Sequence, residues 1–191
     1  MTPWWDRAIG MPGPLQFLHG ERATPRELSW VYLGAVVFTG VFLFAFWREV
    51  ESLDRLRMMV LVLAGLDLAG GAIANLSRGT RSFWRSRPSG LRLAFLAVHG
   101  VHAAALAFVF PAAAMGAILA WGWMMCAGGF LTLSRDPGQG EAPAMALALT
   151  GAVLVNLTPG LPPAAGLLLA IFQVKLVFSF GSAGLGPGRE S

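Results

Sequence analysis

The chain has 191 residues, of which 55% are hydrophobic and only 13% charged, a balance that excludes an ordinary soluble domain. Its net charge of +4 does not point to nucleic acid, because thirteen of the fourteen basic residues are arginines and most sit in short segments beside apolar runs, as a membrane-topology signal does. The single Cys126 lies in an apolar run and excludes a disulfide framework.

Residues 1–24 read as an irregular segment rich in Pro and Gly. Trp4, Trp5, Phe17 and Leu18 are interspersed there with Pro12 and Pro14, and tryptophan favours the headgroup region. The segment is therefore expected to lie on the membrane surface, with His19 as a solvated loop histidine. Where a cleavable signal would have an apolar core, the first 27 residues hold Pro, Gly and several charges, so insertion is expected to depend on the mature helices.

Thr24-Pro25-Arg26-Glu27 is a helix start: a cap residue, Pro at the first position and Glu three residues after the cap. Helix 1 is expected from about Leu28 to Trp47, with Trp30 and Trp47 marking its ends. A short link with charges of both signs, Arg48 to Arg57, precedes helix 2, about Leu56 to Leu76, with Ser52 as a cap candidate. The link is short enough to make helices 1 and 2 an antiparallel hairpin. Ser77 to Gly90 is read as a basic link ending in the chain break Pro88-Ser89-Gly90. Helix 3 then runs from about Leu91 to Phe110 and helix 4 from about Ala112 to Leu133. A polar loop, Ser134 to Ala142, leads to a short helix 5, about Pro143 to Leu157, and helix 6 covers about Leu161 to Phe180. The pattern predicts an all-α, polytopic bundle of six transmembrane helices over residues 25–181, with a flexible tail at 182–191. With six spans, Arg7, Arg22, Arg26, Arg78, Arg81, Arg85, Arg87, Arg92, Arg135 and Arg189 share one side, against Arg48, Arg55 and Arg57 on the other. That asymmetry predicts both termini on the cytoplasmic side of the inner (plasma) membrane. If helix 5 does not span, the C-terminus changes side.

Residues 65–81 carry the strongest chemical signal. Asp67 stands inside an otherwise small and apolar segment, and a charge in hydrocarbon costs about 2.5–3.5 kcal/mol on insertion scales, so it needs a partner or a proton. At helical spacing Asp67, Gly71, Asn75 and Arg78 share a face, and Gly70, Gly71 and Ala74 allow a close neighbour there. At about 1.5 Å per residue, Asp67 comes near the centre of helix 2, His99 and His102 near the centre of helix 3, and Lys175 near that depth in helix 6. Asn75 and Arg92 come deeper on the cytoplasmic side. The expected site is a polar cavity between helices 2, 3 and 6, open toward the cytoplasm and lined by Asp67, Asn75, His99, His102 and Lys175. The bland alternative is a buried Asp–His or Asp–Lys link that fixes helix packing, worth about 1 kcal/mol. The basic cluster of Arg78, Arg81, Arg85, Arg87 and Arg92 is equally consistent with a topology signal and contact with anionic lipid headgroups.

Other chemistries fit less well. His99, His102 and Asp67 make three possible metal ligands, but i, i+3 histidines in an apolar span with no Cys or Glu nearby are a weak signal, and for a haem held by two histidines from different helices the only other histidine, His19, lies outside the spans. No nucleophile stands in an elbow-like motif. Similarity to retinal proteins stops at the lone Lys175, since six spans are expected and Ile171 stands where a carboxylate would lie one turn before it. No cofactor is identified. The leading expectation is binding or transport of a small solute or proton, with Asp67, His99 or His102 changing protonation. The alternatives are an enzyme acting on a lipid headgroup at the arginine-rich face, or an accessory subunit. A second copy or a partner membrane subunit is compatible with the small-residue face.

Overall fold

The computed structural model describes residues 3–134 and 141–181. The polar loop expected around Asp136-Pro137-Gly138 and the tail expected at 182–191 lie outside the described residues. The protein is all-α, apart from one two-residue strand pair. Among the described residues, five helical segments are long and apolar enough to cross a membrane: Pro25–Ala45, Arg55–Ala74, Ser89–Val109, Pro111–Leu133 and Pro163–Phe180. The protein is thus a multi-pass membrane protein, with exposed Val, Leu, Ile and Phe on the outside of its bundle.

The N-terminal segment is more ordered than its composition suggests. A 3-10 turn, Trp4–Asp6, precedes β1 (Ile9–Gly10), α1 (Gly13–His19) and β2 (Arg22–Ala23), and the strands pair antiparallel with Ile9 opposite Ala23. Then Thr24 closes a complete capping box: its Oγ1 accepts from the Glu27 backbone N–H at 3.1 Å, and Glu27 Oε2 accepts from the Thr24 N–H at 2.9 Å. α2 (Pro25–Ala45) starts there, and a single turn, α3 (Trp47–Val50), follows it. α4 (Arg55–Ala74) is capped by Asp54, which accepts from the Arg57 N–H at 2.9 Å, so Ser52 is not the cap. Asp54 directly precedes the first turn, where a carboxylate meets the free N–H groups.

α2 and α4 pack closely because small residues alternate across the seam. Gly70 lies against Ala35 and Val31, Gly65 against Thr39, and Gly34 against Ile73. The basic link expected after helix 2 is itself a helix, α5 (Arg78–Arg85), capped by Ser77. Thr80, Phe83 and Trp84 fall at i, i+3 and i+4 and form its buried face, while most of its arginines face out. α1 lies on that buried face. Thr80 donates to the Leu18 carbonyl at 2.8 Å and Trp84 Nε1 to the Phe17 carbonyl at 3.2 Å. Gly20 turns the chain back at φ +75°, where a side chain would meet the Gly79 backbone.

His19 corrects the expectation of a solvated histidine: it is buried, 2.8 Å from the Tyr32 hydroxyl. Burial lowers its pKa below the ordinary histidine value. The folded state therefore takes up the proton less readily than the unfolded one. Stability from this contact is complete above about pH 6.5 and declines as the pH falls through that value toward the lowered folded pKa. Amide protection over residues 13–23 is expected to drop between pH 7.5 and pH 5 after correction for intrinsic exchange rates. A His19→Gln variant is expected to show no such drop.

α6 (Ser89–Val98) and α7 (Gly100–Val109) form the third span, interrupted at His99, whose ψ of −4° leaves the helical value. A 3-10 turn, Pro111–Ala113, leads into α8 (Ala114–Leu133). α9 (Ala142–Asn156) has 15 residues, about 22 Å, less than the about 30 Å hydrocarbon core. It turns Ala144, Ala148, Gly151 and Val155 inward, and Trp123 Nε1 of α8 donates to its Leu147 carbonyl at 2.9 Å. The last span is α10 (Pro163–Gln173) followed by a π-helical stretch, Val174–Phe180. Its buried Leu168, Leu169, Phe172, Leu176 and Phe180 form the centre of the core with Leu68, Leu96 and Met124.

Candidate intramembrane polar site

Asp67 stands twelve residues into α4 and seven before its end, about 18 Å and about 10 Å along the axis, so it is near mid-span. One turn on, Gly71 leaves a gap through which the Lys175 side chain runs. A Cβ at 71 would collide with Lys175 Cε and come 2.9 Å from Nζ. Through that gap Lys175 Nζ reaches Asp67 Oδ2 and forms an ion pair. His102 of α7 places Nε2 2.5 Å from the same oxygen. A carboxylate oxygen only accepts, so Nε2 is the protonated nitrogen of that contact. His102 Nδ1 is buried without a hydrogen-bond partner among the described residues.

The backbone around Lys175 is also held. Asn75, at the C-cap of α4, is buried and donates from Nδ2 to the Lys175 carbonyl at 3.1 Å. In the π-helical stretch the backbone ladder shifts from i−4 to i−5, and the Lys175 carbonyl takes this side-chain donor within it. Gln173, also buried and the last residue of α10, donates to the Ala120 carbonyl at 2.8 Å and ties the start of that stretch to α8. His99 takes a different role. Its Nδ1 lies 2.6 Å from the Phe95 carbonyl, and its ring stacks on His102 with centroids 5.1 Å apart and planes 12° apart. It does not touch Asp67, although i, i+3 spacing suggests one shared face. The helix break at His99 turns the two imidazoles to different partners.

The pair is asymmetrically buried. The Lys175 side chain is 3% exposed and that of His102 16%, but that of Asp67 is 44% exposed. Both contacts fall on Oδ2, and Oδ1 has no hydrogen-bond partner among the described residues. Asp67 lines two recesses on the outer surface. One, of about 250 Å³, lies between α4 and α7 beside Val60, Leu63 and Val101. The other, of about 350 Å³, lies between α2 and α4 beside Tyr32, Val36, Leu66 and Gly70. Of these recesses, the one beside α7 lies between the expected helices 2 and 3, and the other opens between helices 1 and 2, away from the interior that faces helix 6. Lys175 and the π-helical stretch fill that interior, and the carboxylate faces sideways into apolar grooves. Tyr32, the only tyrosine in the chain, lines the second recess while its hydroxyl meets His19.

The five arginines of the basic cluster take separate places. Arg78 starts α5 and so leaves the Asp67 face of α4, which ends at Ala74. Arg81 pairs with Glu141 at 2.6 Å, and Arg87 reaches Glu21 at 3.4 Å over the Phe83 ring. Arg85 ends α5. Arg92 is buried in α6 with its guanidinium 5.8 Å from the Phe180 ring centroid, and its Nε and Nη2 find no hydrogen-bond partner among the described residues. Arg81, Arg87 and Arg92 thus turn to different neighbours and do not converge with His99. Compared with protein-family models, curated proteins and solved structures, the chain matches none of them.

Proposed function

We propose that this protein binds or moves a small solute or a proton at Asp67, with access from the side of the bundle. One observation carries the reading. A mid-span carboxylate is anchored on one oxygen by Lys175 and His102, its other oxygen has no hydrogen-bond partner among the described residues, and the residue lines apolar recesses on the bundle surface. Packing alone asks for no such opening, and intramembrane carboxylates are costly enough to mark functional sites. Lys175 and His102 supply the compensating hydrogen bonds, and the free oxygen is left for a proton or a donor group of the solute.

Proteoliposomes with an imposed pH gradient and a lumenal pH dye test this. The wild-type protein is expected to carry a proton flux that a charge-balanced Asp67→Asn, Lys175→Met variant lacks while remaining folded. Equal flux in the two would sink the reading. Labelling by an apolar carbodiimide, read by peptide mass spectrometry, is expected at Asp67 and not with a water-soluble reagent. Loss of folding as the only consequence of altering the pair would assign it to packing.

The same reading treats α9 as a sixth, thinner crossing packed on α8 and α10, and places both termini on the cytoplasmic side of the inner (plasma) membrane. The arginine asymmetry supports that orientation. A C-terminal green fluorescent protein fusion is expected to fluoresce, and a C-terminal alkaline phosphatase fusion to be inactive; the reverse pattern would leave α9 outside the set of crossings.

A further inference from the structure

The seam between α2 and α4 is open on its outer side along much of its length. At the arginine-rich end is a recess of about 620 Å³, lined by Arg26, Trp30, Ile73, Ser77 and Arg78 among others. The recess that reaches Asp67 continues it toward mid-span, and Val31 lines both. The eleven residues of α4 from Leu63 to Ile73 span about 15 Å, half of the about 30 Å hydrocarbon core and so one leaflet. Charge is graded along this groove. Its mouth holds two guanidiniums and an indole, and its length holds Val31, Ala35, Val36, Leu63 and Leu66.

The charges at the mouth are available. Arg78 is exposed and has no ion-pair partner among the described residues. Arg26 is exposed and shares only a 3.2 Å contact with Asp6. Glu27 also borders the mouth, but its Oε2 is committed to the Thr24 backbone and hydroxyl at 2.9 and 3.1 Å. Trp30 is exposed there, the position an indole takes at headgroup level.

We propose that this groove is a binding site for an anionic phospholipid, with its phosphate on Arg78 and Arg26 and one acyl chain lying along α2 and α4 toward Asp67. Guanidinium forks match phosphate oxygens, and the apolar walls match the chain. The site stands independently of proton chemistry at Asp67, which forms only part of the far wall.

Native mass spectrometry of the detergent-purified protein, supplied with phosphatidylglycerol or phosphatidylcholine, tests it. The wild-type protein is expected to retain one phosphatidylglycerol about tenfold more readily than phosphatidylcholine, the preference worth one charge-assisted contact. Arg78→Gln is expected to remove that preference. Val36→Trp, which fills the groove from its exposed side, is expected to weaken both lipids alike. Arg55→Gln, at the opposite end of α4, is expected to change neither. Equal retention of the two lipids by the wild type, no effect of Arg78→Gln, or displacement by inorganic phosphate would each overturn the proposal. The charge-balanced Asp67→Asn, Lys175→Met variant is expected to keep the lipid, so failure here and failure at Asp67 are read separately.

Discussion

Asp67→Asn and Lys175→Met are each expected to cost about 3 kcal/mol of stability, and the double variant less than either alone. Removing one member of an ion pair in a low-dielectric setting strands the other, and such losses run to about 3–5 kcal/mol. An isolated charge at mid-span costs about 2.5–3.5 kcal/mol on insertion scales. Lys175 is 3% exposed and has no second carboxylate within reach among its contacts, so it has nothing to turn to once Asp67 is neutral. Asp67 retains His102 when Lys175 is lost, but it also faces apolar recesses, so its charge is not relieved by solvent. Replacing both charges removes the stranded group altogether, and exchange of a buried pair for matched uncharged residues is often close to neutral. Reversible unfolding in mixed detergent micelles gives the four stabilities of the cycle. Additive costs would mean that the two side chains are not coupled.

A second large effect is expected at Gly71. Gly71→Ala is expected to destabilise the wild-type protein by about 1–2 kcal/mol, as overpacking does. The added Cβ falls on Lys175 Cε, and Lys175 can yield only by leaving Asp67. In a Lys175→Ala background the obstruction is gone, and alanine's helix propensity is better than glycine's by about 1 kcal/mol. There Gly71→Ala is expected to be stabilising. This change of sign distinguishes a glycine kept for the passage of Lys175 from one kept for the packing of α2, since α2 is unchanged in both backgrounds. The same micelle measurement reads it.

A rise of about 1.5 Å per residue brings Asp67, His102 and Lys175 to one level from three different spans, and the structure has them in contact. The capping box at Thr24 was equally visible, because caps depend on local residues. Two features were less legible. α5 was signalled by Ser77 and the spacing of Thr80, Phe83 and Trp84, but its arginines hid it as a charged link. His19 looked like a surface residue because only α1, Tyr32 and α5 together enclose it.

What the sequence by itself determined is the class and the spacing: an all-α membrane protein, the capped start of its first span, and the levels at which its few polar residues sit. Apolar length and local caps encode these, and neither needs a neighbour. The tertiary structure alone decided which way those residues face. In a span that is apolar all round, no amphipathic stripe orients the helix. The angle of α4 is instead set by Gly65 and Gly70 against α2 and by Lys175 threading past Gly71. Those contacts turn Asp67 outward, into the grooves, while Lys175 closes the interior behind it.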